Sequence, residues 1–135
     1  MINENQHMTE REPPTRRIKS MQTASEVLRE LQSQSEATLS DLCGNIDVAK
    51  STLHTYLQTL VAEGFIDKSD GVYRLGLRFI PLGESVRNRI DLYQLGKEEV
   101  NRLAEETNEW VHLTVAYRSR EVTLYEHNGG ETVAV

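Results

Sequence analysis

The stretch KSTLHTYLQTLVAEGFI, residues 50–66, combines a basic start with leucines at helical spacing and short polar side chains between them. With Leu53 as the origin and about 100° per residue, Leu57 and Leu60 fall on the same helical face. The opposite face and its flanks carry hydroxyl, amide and imidazole groups but no carboxylate: Ser51, Thr52, His54, Thr55 and Gln58. Such side chains contact phosphates and base edges, and a glutamine can pair with adenine in the major groove. The pattern by itself fits a helix that enters DNA and an ordinary amphipathic surface helix equally well.

The start of this helix suits a phosphate contact. Lys50 and Ser51 lie where unpaired N–H groups and the helix dipole attract an anionic oxygen. The candidate DNA-binding residues of this segment are therefore Lys50, Ser51, Thr52, His54, Thr55 and Gln58.

No pattern in the chain indicates catalysis, a cofactor or a metal. The four histidines, His7, His54, His112 and His127, have no Cys, His or carboxylate at metal-ligand spacing. Cys43 is the one cysteine, and a small buried hydrophobe is its expected role. The sequence therefore predicts a protein that is not an enzyme and that carries no cofactor.

The elements around residues 50–66 predict a winged helix-turn-helix over residues 18–80. Residues 1–17 are polar and are expected to form a disordered tail. A first helix begins near Ile18 and ends within residues 32–38, and Thr38 or Ser40 caps a short second helix. After a turn at residues 45–47, the third helix runs from about 49 to 63 and ends at Gly64. Residues 65–75 then predict a hairpin that turns around residues 69–71.

Cations flank this predicted unit on both sides. An arm before and at the start of the first helix carries Arg16, Arg17 and Lys19, and the hairpin carries Lys68 and Arg74. In a docked winged helix, such positions meet the DNA backbone and the minor groove. These five residues complete the predicted DNA-binding set.

Residues 81–135 predict a linker helix followed by a partial α+β segment. The linker covers residues 81–95, with helix breaks near Pro81 and Gly96. Residues 96–135 carry a helix and a strand hairpin that turns near residues 119–120. Because a two-stranded hairpin is marginal in water, this segment needs a partner. The expected dimer contacts are Leu92, Leu95, Val100 and Leu103, and packing of these side chains inside one chain is the alternative.

Composition narrows the functional class. The net charge of −6 counts against a nucleic-acid binder, but residues 1–80 hold nine Lys and Arg against eleven Asp and Glu, a net of −2. The other −4 falls on residues 81–135, so a locally positive face remains available. No apolar stretch is long enough to span a membrane, and one cysteine cannot form an internal disulfide. A cytoplasmic protein without membrane association is expected.

Three stretches of the sequence resemble the IclR family of bacterial and archaeal transcriptional regulators. The resemblance rests on IKSMQTASEVLREL, on TLSDLCGNIDVAKSTLHTYLQTLVAEGFI and on YRLGLRFIPLG. It covers residues 18–83 closely and residues 84–127 more weakly. It implies a homodimer whose paired recognition helices enter successive major grooves of a palindromic operator. It also implies contact roles for Lys50, Ser51, Thr52, His54, Thr55 and Gln58.

Several positions depart from the family pattern. Members commonly carry Arg where this chain has Thr55 and Gln58, Gly and Pro where it has Asp47 and Ala49, and Arg in place of Thr23. Fewer cations weaken the phosphate contribution, so base contacts or DNA shape must supply more of the affinity. The alternative is a protein-interaction module that kept the fold, lost DNA binding and modulates a related regulator through mixed dimers.

The segment after Gly96 is much shorter than the GAF-like ligand domain of the family. The chain is therefore expected to be either a truncated form or a natural short form. A closed pocket for a small-molecule effector is not expected in it.

Overall fold

The computed structural model describes residues 16–130, which form two compact units divided between Gly83 and Glu84. The mainly helical fold with a few strands confirms the predicted fold class. The predicted disordered tail lies outside the described residues except for its last two positions. The predicted division into functional regions 18–80, 81–95 and 96–135 stays a prediction.

The first unit contains three helices and a three-stranded sheet. The helices are α1 (Lys19–Gln34), α2 (Leu39–Asn45) and α3 (Lys50–Ala62). The strands are β1 (Ala37–Thr38), β2 (Ile66–Ser69) and β3 (Val72–Leu75), in the antiparallel order β1-β3-β2. The predicted helix ends and hairpin agree with these bounds. The core between helices and sheet contains Val27, Leu31, Leu42, Leu53, Leu57, Ile66 and Tyr73.

The short strand β1 was not predicted. It has two residues, and Ala37 pairs with Tyr73 while Thr38 pairs with Val72. Two residues cannot show the alternation that identifies a strand, so only pairing with β3 defines it.

Local backbone chemistry fixes the ends of the two helices that matter most for the site. Thr38 caps α2: its Oγ1 accepts from the Asp41 N–H at 3.2 Å, and Oδ2 of Asp41 accepts from the Thr38 N–H at 2.9 Å. This reciprocal pair is a capping box. The helix α3 is followed by its C-cap residue Glu63 and then by Gly64, whose φ of +78° is a left-handed conformation that favours glycine.

The hairpin of β2 and β3 turns through Asp70 and Gly71, which both have positive φ, 50° and 76°. A two-residue turn of this kind matches the twist of the paired strands. The predicted turn position is confirmed.

The second unit packs a helix on a two-stranded antiparallel sheet. The helix α4 (Phe79–Asn88) runs across the boundary between the units, and α5 (Asp91–Thr107), β4 (Trp110–Tyr117) and β5 (Arg120–Asn128) follow it. Leu124 of β5 and Tyr93 of α5 are buried in this unit. The hairpin turns at Arg118 and Ser119, one residue before the predicted position.

The predicted helix breaks near Pro81 and Gly96 were wrong. Pro81 lies in the first turn of α4, where its missing N–H has no partner to lose. Gly96 lies inside α5, and a Cβ there would be 3.0 Å from Cδ2 of Leu113, so glycine allows the strand to approach. The break falls at residues 89–90, and no single helix spans residues 81–95.

The structure removes Val100 from the set of predicted dimer contacts. Only 6% of its surface is exposed, so it is packed inside the chain and not available to a second copy. Leu92, Leu95 and Leu103 are 41%, 79% and 47% exposed, and their contact role stays a prediction.

Candidate nucleic-acid interface

The helix α3 presents the face that its sequence predicted. Leu53, Leu57 and Leu60 are buried in the core of the first unit. On the other face His54 is half-buried. The remaining polar residues of that face are exposed: Ser51, Thr52, Thr55 and Gln58. No acidic residue lies within α3 itself, so a phosphate backbone approaching this face meets no carboxylate on the helix.

Two threonine hydroxyls on α3 are already used as donors within the helix. Oγ1 of Thr55 donates to the Ser51 carbonyl at 3.2 Å, and Oγ1 of Thr59 donates to the Thr55 carbonyl at 3.0 Å. In this state the Thr55 side chain offers an acceptor oxygen and a methyl group, and not a hydroxyl donor. A thymine methyl or a base-edge donor suits this side chain better than a phosphate.

Gln58 differs from Thr55 because its amide has no hydrogen-bond partner within residues 16–130. Its two donors and its acceptor remain available to a ligand. Among the polar residues of α3, Gln58 therefore has the chemistry best suited to bidentate readout of a base.

The N-terminus of α3 has no side-chain cap. Ala49 occupies the N-cap position, and its methyl side chain cannot accept a hydrogen bond from the first N–H groups; Lys50 is exposed at the first helical position. The first N–H groups of a helix have no intrahelical partner. This end of α3 thus combines uncapped donors with a positive charge, which is an arrangement that suits a phosphate oxygen.

The structure does not bring the two cations of the hairpin together. Because successive residues of a strand point to opposite faces, Lys68 shares a face with Tyr73, while Arg74 shares the other face with Asp67. Nζ of Lys68 lies 5.4 Å from the Tyr73 ring centroid. Nε of Arg74 lies 3.1 Å from Oε2 of Glu36. Lys68 and Arg74 therefore lie on opposite faces of the hairpin, so one face of it cannot present both cations to DNA.

The arm cations have a simpler environment. Arg16 and Arg17 are exposed just before α1 and Lys19 is exposed at its first position, and none of the three forms an ion pair within the described part of the chain. Their charge is available to an anionic partner, and their role as DNA contacts stays a prediction.

Sequence reasoning missed two residues of the site. Glu36 binds Arg74 across 38 positions of the chain, and Arg78 binds Glu63, the residue that caps the C-terminal end of α3. Neither pair has a local sequence signal, because each depends on the register of the sheet or on the path of the chain after it.

Other kinds of site have no support in the described residues. No group of three His, Cys, Asp or Glu between residues 16 and 130 lies close enough together to hold a metal ion. No helix in that range combines the length and the hydropathy that crossing a membrane requires.

Residues 22–70 match the family model of the IclR helix-turn-helix domain. The chain is 39% identical over 119 residues to a probable HTH-type transcriptional regulator ArcR of Halobacterium salinarum, covering 87% of this chain and 45% of that protein. It is 31% identical to the HTH-type transcriptional regulator XynR of Escherichia coli, covering 87% of this chain and 48% of that protein. The chain thus spans about half the length of these curated relatives, which are named as regulators and not as enzymes.

Solved structures agree with this similarity. An IclR transcriptional regulator from Alicyclobacillus acidocaldarius matches with a TM-score of 0.74 and 25% identity, over 89% of this chain and 50% of that one. HmgR of Pseudomonas aeruginosa matches with a TM-score of 0.70 and 25% identity, over 87% of this chain and 52% of that one.

Proposed function

This chain belongs to the IclR family through its helix-turn-helix domain, and on this premise we propose that it binds a palindromic DNA operator as a homodimer and regulates transcription. The relatives to which it is similar are named as transcriptional regulators. We expect the protein to act in the cytoplasm, with double-stranded DNA and a second copy of the chain as partners.

The carboxylate-free outer face of α3 is the observation that carries this proposal. Three leucines fix the inner face in the core, so the polar face is held outward by the same packing. In a major groove, this face would present Gln58 and the Thr55 methyl group to base edges. The uncapped N-terminus with Lys50 would contact a backbone phosphate, which fixes orientation but carries no sequence information.

The homodimer is supported by apolar side chains that the chain does not bury. The helix α4 contains no buried residue, and three of its large apolar side chains, Ile80, Leu82 and Val86, are 60%, 45% and 50% exposed. Leu95 of α5 is 79% exposed. Exposed apolar residues grouped along helices are typical of surfaces that associate, and a second copy would double the helix-turn-helix units on one DNA molecule.

Selection of binding sites from random duplex DNA, at two salt concentrations, tests the proposal. Recovery of a palindrome with affinity that falls as salt rises is expected, and the spacing of its half-sites would be about one helical turn or a multiple of it. Recovery of a single half-site would contradict the dimer, and no enrichment at low salt would contradict DNA binding.

Sedimentation analysis tests the dimer without DNA. Leu95→Glu is expected to shift the chain toward monomer, because a charge would be placed on an apolar contact. Glu98→Gln, an exposed change on the same helix, serves as the control. A wild-type chain that is monomeric both alone and on its operator would contradict the homodimer.

A second function is favoured by the charge pairing in the first unit. Arg74 and Arg78 are both engaged by carboxylates of the same chain, which reduces the positive charge available to DNA. A module that binds a related regulator and no DNA is consistent with this feature. The same selection distinguishes the two functions, because the module would enrich no sequence even at low salt.

A further inference from the structure

The sheet of the first unit places a carboxylate on each side of Arg74. The register pairs Arg74 with Asp67 of β2. Glu36 immediately precedes β1, and its Oε2 accepts a hydrogen bond from Nε of Arg74 at 3.1 Å. Side chains opposite one another on the same face of antiparallel strands are close enough to interact. Arg74 therefore lies between two carboxylates across the sheet, and Glu36 is the one with which it forms an ion pair.

The Arg74–Glu36 ion pair is exposed, so another anion can replace the Glu36 carboxylate on Arg74. The two side chains are 54% and 58% exposed. Exposed ion pairs contribute little to stability and are weakened by salt. A phosphate oxygen offers the guanidinium the same kind of charge-assisted hydrogen bond as the carboxylate does. The carboxylate and a DNA phosphate are thus competitors for one cation.

We propose that the Glu36 carboxylate competes with a DNA phosphate for Arg74, and that this competition sets both the affinity of the chain for DNA and the salt dependence of that affinity. This inference rests on the proposed function, since it needs DNA as the partner. On docking, Arg74 exchanges the Glu36 carboxylate for a backbone phosphate. Glu36 is then left as a free carboxylate.

Counterion balance gives the exchange a measurable signature. A cation that binds a phosphate normally releases the counterions condensed there, and each such contact contributes about −0.9 to the slope of log K against log salt. When Arg74 leaves Glu36, the freed carboxylate attracts a cation from solution. Release at the phosphate is therefore offset by uptake at Glu36, and this contact adds little to the slope in the wild-type chain.

The test compares Glu36→Gln with wild type in the full chain, by fluorescence anisotropy on a pool of random-sequence duplexes. Random duplexes suffice because phosphate contacts do not depend on sequence. Glu121→Gln is the matched control: it changes the net charge equally, at an exposed position of β5 in the second unit. Arg74→Gln is measured with and without Glu36→Gln, and circular dichroism checks that every variant is folded.

Glu36→Gln is expected to bind about two- to fivefold more tightly at low salt, the range of an exposed ion pair. Its salt slope should be steeper by about 0.9, so its affinity approaches that of wild type as salt rises. Glu121→Gln should show neither change, and the gain should vanish in the Arg74→Gln background.

Equal salt slopes for wild type and Glu36→Gln would overturn the inference while leaving DNA binding intact. A gain that persists without Arg74 would overturn it as well, because the effect would then be general charge and not competition. If neither wild type nor Glu36→Gln binds duplex DNA at low salt, the proposed function and the inference both fail.

Discussion

Arg78 closes the C-terminus of α3 by donating a hydrogen bond from Nη1 to the backbone carbonyl of Glu63 at 2.6 Å. The same nitrogen lies 3.5 Å from Oε2 of Glu63, and the guanidinium carbon lies 4.5 Å from the centroid of the Phe65 ring. Carbonyl groups at the end of a helix lack intrahelical partners, and the helix dipole favours a cation there. Arg78, which follows the sheet, therefore stabilises the end of the helix that carries the candidate DNA contacts.

Arg78→Gln is expected to lower the free energy of unfolding by about 1–2 kcal/mol, since it removes a charged donor and its dipole interaction. Urea denaturation measures this difference. Arg29→Gln is the control, because its hydrogen bond is to Ser25 on the exposed side of α1, and it should change stability by less than about 0.5 kcal/mol. Equal losses for the two variants would show that the contact with Glu63 contributes nothing specific.

Gln58→Ala is expected to cost about 1–3 kcal/mol of binding free energy and to relax the sequence preference at one operator position, as loss of a bidentate base contact does. The salt slope should not change, because no phosphate contact is removed. Gln32→Ala, at an exposed position of α1, is the control. Binding that weakens equally for every sequence would contradict a role in base readout.

Gly76→Ala and Gly44→Ala are expected to have opposite effects on stability. A Cβ at Gly76 would clash with the Gly64 carbonyl oxygen, so the backbone must move, at a cost of about 1–3 kcal/mol. A Cβ at Gly44, inside α2, meets nothing within 4 Å, and alanine should stabilise the helix by up to about 1 kcal/mol. Urea denaturation of both variants checks the signs, and a neutral Gly76→Ala would contradict the close approach.

The capping box of α2 predicts a dependence of stability on pH. The hydrogen bond from the Thr38 N–H lowers the pKa of Asp41 below its ordinary value of 3.8. A lowered folded-state pKa stabilises the folded chain above the unfolded value, and this contribution is lost as pH falls through the folded pKa. Asp41→Asn should therefore be less stable than wild type at neutral pH, with a difference that narrows below about pH 4. A difference that is constant with pH would contradict the ionised cap.

Thr38→Ala tests the other half of the same box. Loss of a threonine N-cap typically costs about 0.5–2 kcal/mol, because it removes the acceptor for a backbone N–H, here that of Asp41. Ser40→Ala, at an exposed position of the same helix, is the control. Thermal unfolding should separate the two variants, and equal melting temperatures would contradict Thr38 as the cap.

Much of the first unit was predictable because its signals are local. Leucine spacing identified α3 and its inner face, Thr38 and Ser40 marked the start of α2, and residues 69–71 identified the hairpin turn. Each of these depends on residues within a few positions of one another, where dihedral preference and capping decide the structure.

The helix breaks predicted near Pro81 and Gly96 failed because they rested on the same local preferences. Both residues are poor helix formers in general, but one occupies a first turn and the other admits Leu113 of a distant strand.

The sequence by itself determined which side chains form the polar face of α3, because 3.6 residues per turn separates that face from the leucines. Only the tertiary structure decided which cations of the first unit are available. Register placed Glu36 beside Arg74 and separated Lys68 from it, and the path after β3 brought Arg78 to Glu63. Packing also removed Val100 from the predicted dimer contacts by burying it within the chain. These outcomes depend on contacts between residues distant in the chain, whose charge and apolarity alone do not specify a partner.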